Sequence, residues 1–243
     1  MSFALTLTVA FCVLLLASVL QTTVGFGLAL ISLPLLAMVF DARTAVVGCG
    51  LCGLLNPTLT TIRNRQHVQW RVVTGVLAGV VLGAPIGLFV FTRLSAQALT
   101  VAVALAAIGF TILIWSGLRM RAGTASVLGV GVVVGALSTS VGTNGPPLVG
   151  TFQAMGMDPD SFRATLAAVF LGTGVLSVTG FTVAGQVTGS ALALAAVGIP
   201  AIALGWPLGN WTFSRIQADR FRHMVLGLLL VTSAAPLVSL VLV

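Results

Sequence analysis

Residues 3–40 and 124–157 each run without a single charged side chain, and neither run fits a single membrane crossing. As one helix, residues 3–40 would be about 57 Å long at 1.5 Å per residue, nearly twice a hydrocarbon core of about 30 Å. Each run is also cut by glycine, at VGFG (24–27) and at VGTNGPP (141–147). Backbone that leaves the helix at membrane depth must have its N–H and C=O groups satisfied by protein or by a polar cavity. The other apolar blocks (44–61, 72–92, 98–118, 164–185, 190–213 and 224–243) have ordinary spanning length. Charged residues are 6% of 243 and hydrophobic ones 58%, whereas a soluble domain carries about 25% charged residues. The expectation is an all-α polytopic membrane protein. Phe3–Leu20 has no positively charged stretch before it, as a secretory signal would, and is read as a retained membrane segment.

The two runs belong to an internal repeat. LQTTVG (20–25) matches LSTSVG (137–142) at an offset of 117, and LGAPIGLFVFTRL (82–94) matches LGWPLGNWTFSRI (204–216) at an offset of 122. Apolar composition alone aligns Leu with Ile, but not Gly83, Pro85, Gly87, Phe91 and Arg93 with Gly205, Pro207, Gly209, Phe213 and Arg215. The chain divides into repeats 1–121 and 122–243 of one integral membrane domain. Arginine placement orients them. If each long run crosses twice, or forms a re-entrant hairpin, one side holds Arg63, Arg65, Arg71, Arg119, Arg121, Arg163, Arg215, Arg220 and Arg222. The other holds only Arg43 and Arg93. If each run crosses once, the arginines divide almost evenly. The first arrangement gives two inverted-topology repeats: ten passes, or eight plus two re-entrant hairpins, with broken helices near the midplane and both termini outside. The net charge of +7 then reflects the positive-inside rule and anionic lipid headgroups, not a nucleic-acid partner.

The paired breaks are the strongest pointer to function, because discontinuous helices at repeat-equivalent positions build the substrate sites of many transporters. A helix N-terminus presents free N–H groups and a partial positive charge, which suits an anion. The first break offers Gln21, Thr22, Thr23, Gly25, Phe26 and Gly27; the second offers Ser138, Thr139, Ser140, Gly142, Thr143, Asn144, Gly145 and Pro146. Asn56, before Pro57 in the second block, is either a substrate contact or an interhelical hydrogen bond. Cys49 and Cys52 share a helix face and are read as small packing residues. No cysteine, histidine or carboxylate set completes a metal site, and no cofactor motif is present. The four aspartates (Asp41, Asp158, Asp160 and Asp219) fall in connections, so an intramembrane carboxylate relay is not expected. No arginine is expected deep in a span, which leaves the backbone amides, hydroxyls and the Asn144 amide as donors.

The segments TTVGFGLALISLPLL (22–36) and STSVGTNGPPLV (138–149), each near the start of a half, resemble the sulfite exporter TauE/SafE family of membrane transporters. The resemblance extends over essentially the whole chain, including PDSFRATLAAVF (159–170). It implies a carrier of sulfur-containing anions, such as sulfite or organosulfonates, in the bacterial cytoplasmic membrane. It also implies roles for Gly25, Gly27, Gly142, Asn144, Gly145 and Pro146. The leading expectation is a secondary transporter for a small anion. An anion channel would use the same residues, and an intramembrane enzyme would need a nucleophile with a base, or a metal set, that the sequence does not offer.

Overall fold

The computed structural model describes residues 3–115 and 124–213. The expected last span (224–243) and the arginines at 119, 121, 215, 220 and 222 lie outside them. The described chain is all α: α1 (Phe3–Val24), α2 (Leu28–Leu36), α3 (Ala42–Gly53), α4 (Leu55–Arg63), α5 (Trp70–Arg93), α6 (Ala96–Trp115), α7 (Thr124–Ser140), α8 (Gly145–Ala154), α9 (Pro159–Val183) and α10 (Gly189–Phe213), with a short 3-10 turn at Arg65–His67. Five stretches are long and apolar enough to cross a membrane: Leu5–Val24, Ala42–Arg63, Trp70–Arg93, Pro159–Val183 and Gly189–Thr212. Large apolar side chains face outward along them, including Leu82, Ile86 and Phe89 on α5 and Leu204, Leu208 and Trp211 on α10. The interior holds buried hydroxyls such as Ser18, Thr139, Thr165 and Thr173. Apolar outside with hydrogen-bonded polar inside is the arrangement lipid requires.

Both overlong runs are broken where glycine allows it. α1 ends with Gly25 donating to the Gln21 carbonyl at 2.7 Å, and Gly25 takes φ +95. α7 ends with Val141 donating to Leu137, and Gly142 takes φ +72. An L-residue there is strained by about 1–2 kcal/mol. α2 and α8, only 9 and 10 residues long, follow as half-length helices. With 22 residues, α1 is about 33 Å long, so the first break follows a full-length helix and does not interrupt one midway. Asp41 and Asp158, 117 apart, cap α3 and α9 alike: each accepts a backbone N–H three residues on, from Thr44 and Ser161, at 3.0 Å. The second block is likewise two pieces, α3 and α4, meeting at Leu54.

Glycine lets two pairs of helices touch backbone to backbone, as small residues do in membrane proteins. On α5, a Cβ at Gly83 or Gly87 would strike the carbonyl of Val132 or Ala136 on α7. On α10, a Cβ at Gly205 or Gly209 would lie 2.9 Å from the Leu15 carbonyl or 2.7 Å from the Val19 carbonyl on α1. Leu15 and Val132 differ by 117 positions, as do Val19 and Ala136, while the glycines facing them differ by 122. Each seam joins a helix of one sequence half to a helix of the other.

Contact order along the helices gives their directions. α1, α3–α4 and α10 run one way: Gly198 lies beside Leu14 and Cys52, and Trp206 donates to Thr60. α5, α7 and α9 run together as well: Gly172 meets Leu77 and Gly180 meets Leu88. The two bundles are opposed, because Gly174 lies beside Leu54 while Gln69 donates to Thr165. Since α1 and α3 are parallel, α2 and the turn after it must carry the chain back to the side where α1 began. α8 does the same between α7 and α9.

Candidate functional site

A cavity of about 100 Å³ lies between the two bundles. It runs beside Cys49–Pro57 at the middle of α3–α4 and beside Phe170–Phe181 of α9, and it receives the starts of both half-length helices. Gly27 and Leu28 come from the first break; Gly142, Thr143, Asn144 and Gly145 come from the second. The breaks also touch, since a Cβ on Gly145 would lie 3.3 Å from Phe26. Room for several waters is on the scale of a small oxyanion.

The donors are unequally divided. In α2 the first intrahelical bond is Ile31 N–H to the Gly27 carbonyl at 3.0 Å, so the N–H groups of Leu28, Ala29 and Leu30 have no intrahelical acceptor. All three residues line the cavity. In α8, Pro146 and Pro147 have no N–H, which leaves Gly145 as the first-turn donor nearest the break. Asn144, half-buried at the α8 N-cap, directs Nδ2 at Thr173 Oγ1 at 3.0 Å, and Thr173 donates in turn to the Phe170 carbonyl. This chain fixes the amide at the cavity edge. Among the described residues no acidic or basic side chain lines the cavity.

Several residues singled out in the sequence lie elsewhere. Thr23 donates to the Val19 and Gly209 carbonyls, Thr139 to Gly135 and Ala84, and Ser140 to Ala136. These hydroxyls have no proton left for a ligand and serve the helices and their seams. Asn56, 3% exposed, donates to Thr22 Oγ1 at 2.7 Å and accepts from Thr60 Oγ1. It ties α4 to α1. Cys49 lines the cavity, whereas Cys52 is packed against Gly198. Ser32 gives its proton to the Leu28 carbonyl, so the Cys49 thiol is the donor in its 3.5 Å contact with Ser32. Among the described residues no group of His, Cys, Asp or Glu is placed to hold a metal ion.

Gln21 and Ser138, polar residues at the two breaks, do reach the cavity. Gln21 is 9% exposed, lines the cavity, and its Oε1 has no hydrogen-bond partner. Gln21 stands one residue before the TTVG motif, and Ser138, 117 positions on, lines the opposite wall with Ser177. Arg163 lies near the start of α9 and not deep in its span. From the first turns of α9 it donates to the Thr22 carbonyl at 2.7 Å, at the broken end of α1. Only tertiary packing reveals that contact, because the residues are 141 positions apart.

Comparison with known proteins adds a second line of observation. The family described as Sulfite exporter TauE/SafE matches residues 10–235. A curated protein of Cupriavidus necator, the "Probable sulfite/organosulfonate exporter TauE", is 26% identical over 221 residues, covering 86% of this chain and 85% of that protein. No solved structure matches.

Proposed function

The chain belongs to the sulfite exporter TauE/SafE family, and from that premise we propose a secondary transporter that moves a small anion across the bacterial cytoplasmic membrane by alternating access. The family is one of multi-pass membrane transporters, not of enzymes. The substrate class proposed is a sulfur-containing oxyanion, sulfite or an organosulfonate, in keeping with the name of the Cupriavidus necator relative.

One observation carries the reading: the N-termini of two half-length helices open onto the same cavity between oppositely directed bundles. Burying an unpaired ion costs of order tens of kcal/mol by Born solvation, so hydration must be replaced by fixed donors. The Leu28–Leu30 amides, Gly145 and the held Asn144 amide are such donors, and each helix end adds up to about 2 kcal/mol. Neutral donors also let the anion leave, which a fixed buried cation would oppose.

The repeat-related spacing of the seams, caps and breaks supports two inverted repeats, 1–121 and 122–243. The glycine seams argue that the moving bodies are not these sequence halves. α1 is locked to α10 and α5 to α7, so the bodies are the interleaved bundles α1, α3–α4, α10 and α5, α7, α9, with the substrate between them.

The test is flux of labelled sulfite, organosulfonates and sulfate into proteoliposomes, with counterflow. Saturable counterflow of a sulfur oxyanion is the expected result. Flux without counterflow would indicate a channel, and no flux of any of these anions would remove the reading.

A further inference from the structure

A second, much smaller cavity of about 10 Å³, room for one water, adjoins the first. Gln21, Pro57 and Phe170 border both, so these three side chains are the wall between them. Beyond the wall lie Gly25, Asn56 and Arg163. The charged neighbours of Arg163 include Asp160 and Arg63, which are of opposite sign. By the sequence offset of 117, the counterpart of Arg163 is Val46, which lines the large cavity, and the counterpart of Gln21 is Ser138. One end of the path therefore carries a guanidinium and a primary amide, and the other an isopropyl group and a hydroxyl.

We infer that Arg163 and Gln21 form a second, one-sided subsite for a small oxyanion, at the end of α1 on the face that bears Arg63 and Arg65. The inference rests on the transport reading above and deepens it. In the present arrangement the guanidinium of Arg163, on one bundle, is engaged by the neutral Thr22 carbonyl of the other. A charged oxyanion is the stronger acceptor and would draw the guanidinium away. That exchange loosens a contact between the bundles on this face alone. Gln21 is the group next in line. Its amide lies in the shared wall, buried; the oxygen only accepts, so it is the Nε2 donor that can hand the anion from Arg163 to the Leu28–Leu30 amides. Asp160, one turn from Arg163, keeps the local charge modest, so the anion is attracted without being trapped.

The test measures the KM for sulfite from each face, using oriented proteoliposomes, for wild type, Arg163→Gln, Arg163→Lys and Gln21→Leu. For Arg163→Gln the ratio of KM on the Arg63 face to KM on the opposite face should rise at least about tenfold, the scale of one charge-assisted hydrogen bond. Arg163→Lys, which keeps the charge, should recover most of the wild-type ratio. Gln21→Leu should shift the ratio in the same direction as Arg163→Gln, and with Arg163→Lys it carries the test if Arg163→Gln fails to insert. A ratio unchanged in the variants, or Arg163→Lys behaving like Arg163→Gln, would reduce Arg163 to a tie for the Thr22 carbonyl and overturn the proposal. Absence of sulfite flux in wild type would instead count against the transport reading itself.

Discussion

At the residue scale, Asn144 gives the sharpest test of how the anion is held. Its amide is fixed at the cavity edge by Thr173, so Asn144→Asp exchanges a held donor for a like charge. Calorimetric titration with sulfite and organosulfonates should show binding abolished in Asn144→Asp and only weakened in Asn144→Ser. Wild-type affinity in Asn144→Asp would mean that the anion is not held at this break. The cysteines lead to the opposite expectation. Cys52 packs against α10, and the Cys49 thiol is spent on Ser32, so replacing both by Ser should leave flux largely intact. Loss of flux with normal insertion would point to thiol chemistry with the substrate. The hydroxyls of Thr23, Thr139 and Ser140 were legible in the sequence as polar groups beside the breaks. Their hydrogen bonds to backbone carbonyls were not, because the direction of a side chain depends on which helix packs against it.

At the element scale, the seams make a paired prediction. Gly83→Leu and Gly205→Leu each force a side chain into a facing backbone carbonyl, and overpacking of this kind costs about 1–3 kcal/mol or more. Gly129, on α7 with nothing within 4 Å of an added Cβ, is the control. Thermal midpoints in detergent should fall for both seam variants and stay near wild type for Gly129→Leu. The caps add a pH term. Asp158 has its carboxyl held below the usual range, chiefly by the Ser161 backbone N–H. A depressed folded-state pKa contributes stability that is present above the unfolded value of about 3.9. It is lost as pH falls through the folded pKa. Asp158→Asn should therefore flatten the acid limb of the stability profile below about pH 4, and an unchanged limb would deny the cap this role.

At the scale of the whole molecule, helix directions put the connections at Ser95 and Gln186 on one face and those at Gln66 and Asp158 on the other. Single cysteines at these sites, on a cysteine-free background, should react with an impermeant reagent in two sided pairs. Any other pairing would break the proposed inverted arrangement. If the interleaved bundles are the moving bodies, a cross-link within a seam (α1 to α10) should leave flux intact, whereas one between α4 and α9 should stop it. Arrest by the seam cross-link would return the motion to the sequence halves.

Membrane character, the two broken runs and their glycines were all legible in the sequence by itself. Length, charge and conformational freedom are local properties, and no neighbouring helix is needed to read them. Which groups share a cavity was decided only by the tertiary structure. Arg163 reaches Thr22 across 141 positions, and Gln21 meets a wall made by Phe170. Gly83, Gly87, Gly205 and Gly209, which in the sequence only marked the repeat, form seams between helices of the two halves. Each of these depends on which helices lie side by side and in which register, and that is set by packing between segments far apart in the chain.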